Sequence, residues 1–161
     1  MQKKIDRFGI VVLPAFNAMA TASFIDPLRA ANYLSNTHAY RWQYISLAGG
    51  PTPASNGMSI DTMPLEETEE EVFDAVFVST SWTPEAYQDT RLFSALRKWD
   101  RRGVVLGGLD TGAFILGFAG LLNGYRATVH YEHIDALIEL FPDVTVTEDI
   151  YIFDRSRVTC C

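Results

Sequence analysis

Apolar positions follow two rhythms along this chain. Short unbroken apolar runs alternate with longer stretches in which apolar residues recur every three or four positions. Phe8 to Leu13, Trp42 to Leu47, Phe73 to Val78 and Val104 to Leu106 are runs of strand length. Continuous runs of this kind suit strands buried on both faces of a parallel sheet. Residues 17–34 read as a helix, with Met19, Ser23, Pro27 and Ala30 near one stripe and Phe24, Leu28 and Ala31 on another. Two apolar stripes predict a helix covered over much of its surface, and Pro27 is expected to bend it. A second helix is expected from Thr83 to about Arg102, with Thr83 as N-cap, Pro84 in the first position and Gly103 as the stop. A third follows Asp110 to about Leu122, and a fourth runs from Tyr131 to Phe141 before Pro142. Residues 49–53 (Gly-Gly-Pro-Thr-Pro) read as a turn or loop, and Ser55 to Met58 as a tight turn before a short extended piece. Short strands are expected at 126–129, 144–147, 150–153 and from Arg157 onward.

Alternating strands and helices predict an α/β fold with a mostly parallel sheet and helices on both faces. Sites in such sheets lie beyond the carboxyl ends of the strands. Pro14 to Asn17, Ser79 to Trp82, Asp110-Thr111 and His130 all follow predicted strand ends, so they can converge on one cleft.

The segment from Val104 to Gly117 is the most specific. It reads as a strand turning sharply into a helix, with Gly108-Leu109-Asp110-Thr111-Gly112 at the bend. Gly-x-Asp-x-Gly has the spacing of a nucleophile elbow, with a carboxylate where a Ser or Cys would stand. Asp110 has three readings: a nucleophile passing through an ester, an anionic anchor for a cationic ligand, or a cap on the following helix. His130 is the candidate base if there is an enzyme here, and otherwise a structural or ligand-contacting residue. Trp82 and Tyr131 could form an aromatic wall for a quaternary ammonium or guanidinium group, or simply pack. Thr111 and Glu132 complete the candidate ligand-binding set of Asp110, Thr111, His130, Trp82, Tyr131 and Glu132. Ser79, Thr80 and Ser81 offer hydroxyls and backbone donors.

Other chemistry is excluded by pattern. The spacing of His130, Glu132 and His133 matches no strong zinc signature, so no metal is expected. Gly107-Gly108 lacks the Gly-x-Gly-x-x-Gly spacing of a dinucleotide site, so no cofactor is expected. At 161 residues the chain suits one domain. Its formal net charge of −7 opposes binding to a phosphate backbone by this chain alone. The acidic run from Glu66 to Glu71 reads as a solvated loop or helix start. Cys160 and Cys161 read as a small buried pair on a strand in a reducing compartment. No apolar stretch approaches the ~20 residues of a membrane span. The first residues, Met1 to Arg7, lack the apolar core of a leader, so no membrane contact and a cytoplasmic location are the expectation.

Several stretches together resemble a known family. They are Gly108 to Leu116, Ala119-Gly120-Leu121-Leu122-Asn123-Gly124-Tyr125-Arg126-Ala127-Thr128-Val129-His130-Tyr131-Glu132, Asp26 to Asn32, Phe141 to Val144 and Asp154 to Cys160. They are similar to the N-terminal sensor domain of AraC-type transcriptional regulators, within the PfpI-like, class I glutamine amidotransferase-like superfamily. The resemblance implies a flavodoxin-like three-layer α/β sandwich. It implies an elbow Cys, a first-helix Glu and a following His in the enzymatic relatives. Here the elbow holds Asp110, the first-helix position reads as Ala20, and His130 alone remains, which argues against hydrolase, amidotransferase or glyoxalase activity. The resemblance further implies a homodimer with a small-molecule effector such as betaine, carnitine or arginine. DNA contact would come only through a helix-turn-helix domain after this chain, which is expected to stop before the sensor's last helix.

Overall fold

A computed structural model describes residues 5–161; the first four residues, used above in the leader argument, lie outside it. The chain runs β1 (Arg7–Val12), α1 (Ala18–Ser35), β2 (Arg41–Ser46), β3 (Gly50–Pro53), β4 (Ser59–Pro64), β5 (Ala75–Thr80), α2 (Thr90–Arg101), β6 (Val105–Asp110), α3 (Gly112–Phe118), β7 (Arg126–Ala127), α4 (Ile134–Leu140), β8 (Thr145–Val146), β9 (Tyr151–Asp154) and β10 (Arg157–Cys160). Single 3₁₀ turns lie at Leu65–Glu69, Pro84–Tyr87 and Tyr131–His133.

Eight strands form one sheet in the order β3-β4-β2-β1-β5-β6-β10-β9. All neighbours are parallel except the outermost pairs, β3 with β4 and β9 with β10. Parallel central strands need cover on both faces, and both faces have it. One face packs Val11, Val76, Val78 and Leu106 against Leu92, Leu96 and Trp99 of α2, Phe114 to Leu116 of α3, and Leu137 of α4. The other packs Ile10, Val12, Phe77 and Leu109 against Ile25 of α1, with Phe24 and Leu28 beside it. The result is a flavodoxin-like three-layer sandwich.

The structure corrects the expectations in physically informative places. Residues 50–53, read as loop, pair with β4 as a hairpin, because an edge strand tolerates Pro51 and Pro53 on its open side. Thr83 does not cap the second helix. It sits in left-handed backbone (φ 57°) before the 3₁₀ turn, and Asp89 caps α2 instead, accepting from the N–H groups of Arg91 and Leu92. The helices at 112–118 and 134–140 are shorter than predicted. Helix α1 is less covered than its stripes suggested: only Thr21 and Ile25 are buried, while Met19, Tyr33 and Leu34 face outward. At the far side of that same face Tyr151 and Phe153 are exposed beside half-buried Val158 and Cys160. Cys161 lies exposed beyond the strand, so the cysteines are not a buried pair.

The Asp89 cap carries a testable pH dependence. A hydrogen bond from the Arg91 side chain, followed by the backbone N–H groups of Arg91 and Leu92, holds its carboxyl below the ordinary value. A depressed folded value stabilises above the unfolded pKa and loses that stabilisation as pH falls through the folded value. Asp89→Ala should therefore cost about 1 kcal/mol at neutral pH. In denaturant titrations the difference from the parent should shrink towards zero well below pH 4.

Candidate functional site

The elbow is built by backbone geometry that few sequences permit. Asp110 ends β6 in left-handed backbone, φ 58°. Thr111 follows, and α3 begins at Gly112. A Cβ on Gly108 would lie 2.5 Å from the Ala113 nitrogen, and one on Gly112 would lie 2.1 Å from the Val78 carbonyl oxygen. Both glycines are therefore required by close backbone packing, and that packing forces the Asp110 side chain to the apex.

Asp110 is 6% exposed. Its Oδ2 accepts from the Asn17 Nδ2 at 2.8 Å. Asn17 is the N-cap of α1, and its own Oδ1 accepts from the Ala20 N–H at 3.1 Å, which fixes which way the amide faces. The residue that meets the elbow is thus Asn17, the cap of α1, while Ala20, at the first-helix position named above, gives only its backbone N–H to that cap. Among the described residues no cationic side chain pairs with Asp110.

A cavity of about 140 Å³ opens over the carboxylate, bounded by Asn17, Ser55, Ser81, Asp110, His130 and His133, with Trp82 and Thr111. Its walls come from the carboxyl ends of β1, β5 and β6, as the strand-end rule anticipates. Thr111 is almost fully buried, and its hydroxyl donates to the Ser81 carbonyl, tying the elbow to the end of β5. Ser79 is likewise engaged, its hydroxyl 2.8 Å from that of Thr21, and the buried Thr80 hydroxyl has no partner among the described residues. Trp82 is 63% exposed and leans edge-on to His133, ring centroids 6.1 Å apart. Sequence reading brought Asn17 to the cleft by its strand end but not into the ligand-binding set, weighed His133 only as a metal ligand, and missed Ser55. Asn17 carried a signal, since an Asn before an apolar-periodic helix is a cap. Ser55 carried none, because it reaches the cavity only through the bridge between Phe16 and Ala54.

Tyr131 and Glu132 are not walls of this cavity. Tyr131 is 72% exposed and stacks on the His130 ring from outside, centroids 4.6 Å apart. Glu132 approaches His130 Nδ1 at 3.7 Å from the same outer side. The 3₁₀ turn at 131–133 swings both outward and His133 inward. Cys160 lies one strand away, opposite Leu109. Burial pushes its thiol up to about 11, with the charges of Cys161 and Asp110 adding to the rise. A protonated thiol at neutral pH is a poor nucleophile.

The parallel α/β sandwich is a fold shared with solved structures of ThiJ/PfpI and DJ-1 proteins. A DJ-1 superfamily protein from Salmonella typhimurium superimposes with TM-score 0.82 over 97% of this chain and 81% of its own, at 16% identity. In sequence, the chain is related to HTH-type transcriptional regulators. It is 42% identical over 156 residues to the HTH-type transcriptional regulator CdhR of Pseudomonas aeruginosa, which covers 94% of this chain and 45% of the relative. An AraC family transcriptional regulator from Pseudomonas putida superimposes with TM-score 0.85 at 27% identity, covering 96% of this chain and 83% of that one. The chain spans about half the length of the curated relatives it matches. No family model matches it. Among the described residues no helix is long and apolar enough to cross a membrane.

Proposed function

We propose that this domain is the effector-sensing part of an AraC-type transcriptional regulator, that it binds a small cationic nitrogen metabolite at Asp110, and that it catalyses no reaction. One observation carries the reading: a buried carboxylate that faces an open cavity and, among the described residues, is held by one neutral amide with no cation paired to it. Burying an unpaired charge is costly, and a cationic guest removes that cost. Trp82 at the rim offers a ring face to the same guest. The regulator relatives support the same class of role. A hydrolase using Asp110 and His130 fits less well. Asp110 is already bonded to Asn17, His130 is turned towards Glu132, and no hydrogen bond joins the two among the described residues.

On this reading the effector shifts the population of sensor conformations or dimers and so the DNA affinity of a helix-turn-helix domain outside this chain. The exposed Tyr151 and Phe153 are the surface that a further sensor helix would cover. The test is thermal denaturation with choline, glycine betaine, carnitine and arginine, against the uncharged choline isostere 3,3-dimethylbutanol. At least one cation should stabilise the domain with a saturating dependence on concentration, and the isostere should not. Asp110→Asn keeps the shape and the left-handed backbone, which Asn tolerates, yet should weaken that cation by about tenfold or more. Equal stabilisation of parent and variant, or no response to any cation, would sink the proposal.

A further inference from the structure

The polar groups around the Asp110 cavity are short of hydrogen-bond donors. Asp110 accepts from Asn17 through Oδ2, and its Oδ1 has no partner among the described residues. Ser81 lines the same cavity and is 7% exposed, yet its hydroxyl is bonded to nothing among the described residues. Only its carbonyl is engaged, by the Thr111 hydroxyl. The Ser55 hydroxyl and the His133 ring also lack hydrogen-bond partners among the described residues.

These acceptors are held in place by their surroundings. Asp110 is fixed by the elbow, and the Ser55 N–H donates to the Phe16 carbonyl at 3.0 Å. The His133 ring stands edge-on to both Trp82 and Phe114, with centroids 6.1 and 6.0 Å away. Groups positioned before a guest arrives cost little to order when it binds.

The aromatic side of the cavity is thin. Trp82 is the one Trp, Tyr or Phe among the described wall residues, and it lies exposed at the rim. A quaternary ammonium is held by ring faces around it and carries no N–H. Here it would take water from Asp110, Ser81 and Ser55 and return no hydrogen bond. The flat fork of a guanidinium fits a carboxylate with both oxygens open, and one oxygen of Asp110 already accepts from Asn17. A primary ammonium has three N–H donors and no acceptor, which matches a surplus of acceptors. The cavity, about 140 Å³, is well under the ~300–1,000 Å³ that encloses a whole drug-sized ligand. It therefore holds the cationic head, with the attached carbon chain leaving past Trp82.

We infer that this cavity selects a primary ammonium over its N-methylated counterparts, and that Ser81 sets the preference. This rests on the cation reading of Asp110 given above and names the class of cation.

The probes are ethanolamine and its N-methyl, N,N-dimethyl and N,N,N-trimethyl derivatives, the last being choline. They are cations on one skeleton that lose one N–H donor at each step. Binding is read by calorimetric titration and by the shift of the Trp82 indole N–H in NMR spectra. Ethanolamine should bind tightest, affinity should fall with each methyl, and choline should be weaker by about a hundredfold or more. Ser81→Ala should weaken ethanolamine by about tenfold and leave choline unchanged, which narrows the spread across the series. A merely structural role of Ser81 would weaken every member alike. Choline binding as tightly as ethanolamine would overturn the inference while leaving the cation reading intact. A spread unaltered by Ser81→Ala would overturn it as well. So would the absence of binding by the whole series, and the cation reading would then be decided by the thermal panel above.

Discussion

Gly112→Val should leave the domain unfolded at room temperature, read as loss of the cooperative thermal transition and of the protected amides of β5 and β6. A Cβ at position 112 would stand 2.1 Å from the Val78 carbonyl oxygen and 3.0 Å from its carbon. Real Cβ atoms do not approach backbone so closely, so α3 or β5 would have to move. Neither moves easily. Val78 is fully buried, and Gly112 to Gly117 are buried along α3. Displacing α3 would open a cavity lined by Ile115 and Leu116, at about 2–5 kcal/mol for each large side chain left unpacked. Domains of this size hold only ~5–15 kcal/mol in all. Asp110→Asn, two residues away, should keep the fold, which separates packing from ligand chemistry at the same bend.

The second large effect is expected at the far end of α2. Arg157 is 2% exposed, yet it carries a full charge. Its Nη2 donates to Asp100 Oδ1 at 2.6 Å, its Nε donates to the Leu121 carbonyl at 2.7 Å, and its guanidinium lies 4.6 Å from the Tyr125 ring centre. One side chain thus ties β10 to α2 and to the segment after α3. Asp100→Ala removes the counter-charge and strands the guanidinium. The cost should be about 3 kcal/mol, the lower end for a broken buried pair, because the Asp100 side chain is 34% exposed and water replaces part of the interaction. Replacing both partners with apolar residues, Asp100→Leu with Arg157→Met, should restore much of the loss. A double-mutant cycle in urea measures both terms, and additive effects would show that the pair is not coupled.

The outline of the sandwich was legible because the central strands carry unbroken apolar runs, and the elbow because Gly108 and Gly112 bracket Asp110. What stayed illegible depended on contacts distant in sequence. The hairpin at 50–53 was hidden by two prolines, which are harmless only because that strand lies at an edge. The Thr83-Pro84 signal for a helix start was real locally, but a left-handed Thr83 and the better cap at Asp89 moved the helix start by six residues. At the site, Asp110, Thr111, His130 and Trp82 were found from strand ends alone. Tyr131 was chosen as an aromatic near a strand end and Glu132 as the residue that follows it, and a single 3₁₀ turn directs both outward and His133 inward. The resemblance put Ala20 at the first-helix position of the enzymatic relatives, and the residue that bonds the elbow is the cap that precedes it, Asn17.

The strand order has a consequence for how the chain matures. Strand β10 follows all the other described strands in the chain, yet it lies between β6 and β9. Until residues 157–160 emerge and insert, β6 presents a row of unmatched amides and carbonyls, and neighbouring chains can pair with such a row. The strand that ends in Asp110 therefore has its second edge covered only once residues 157–160 pair with it, and a nascent domain halted earlier would be sticky along the same strand that later holds its charge.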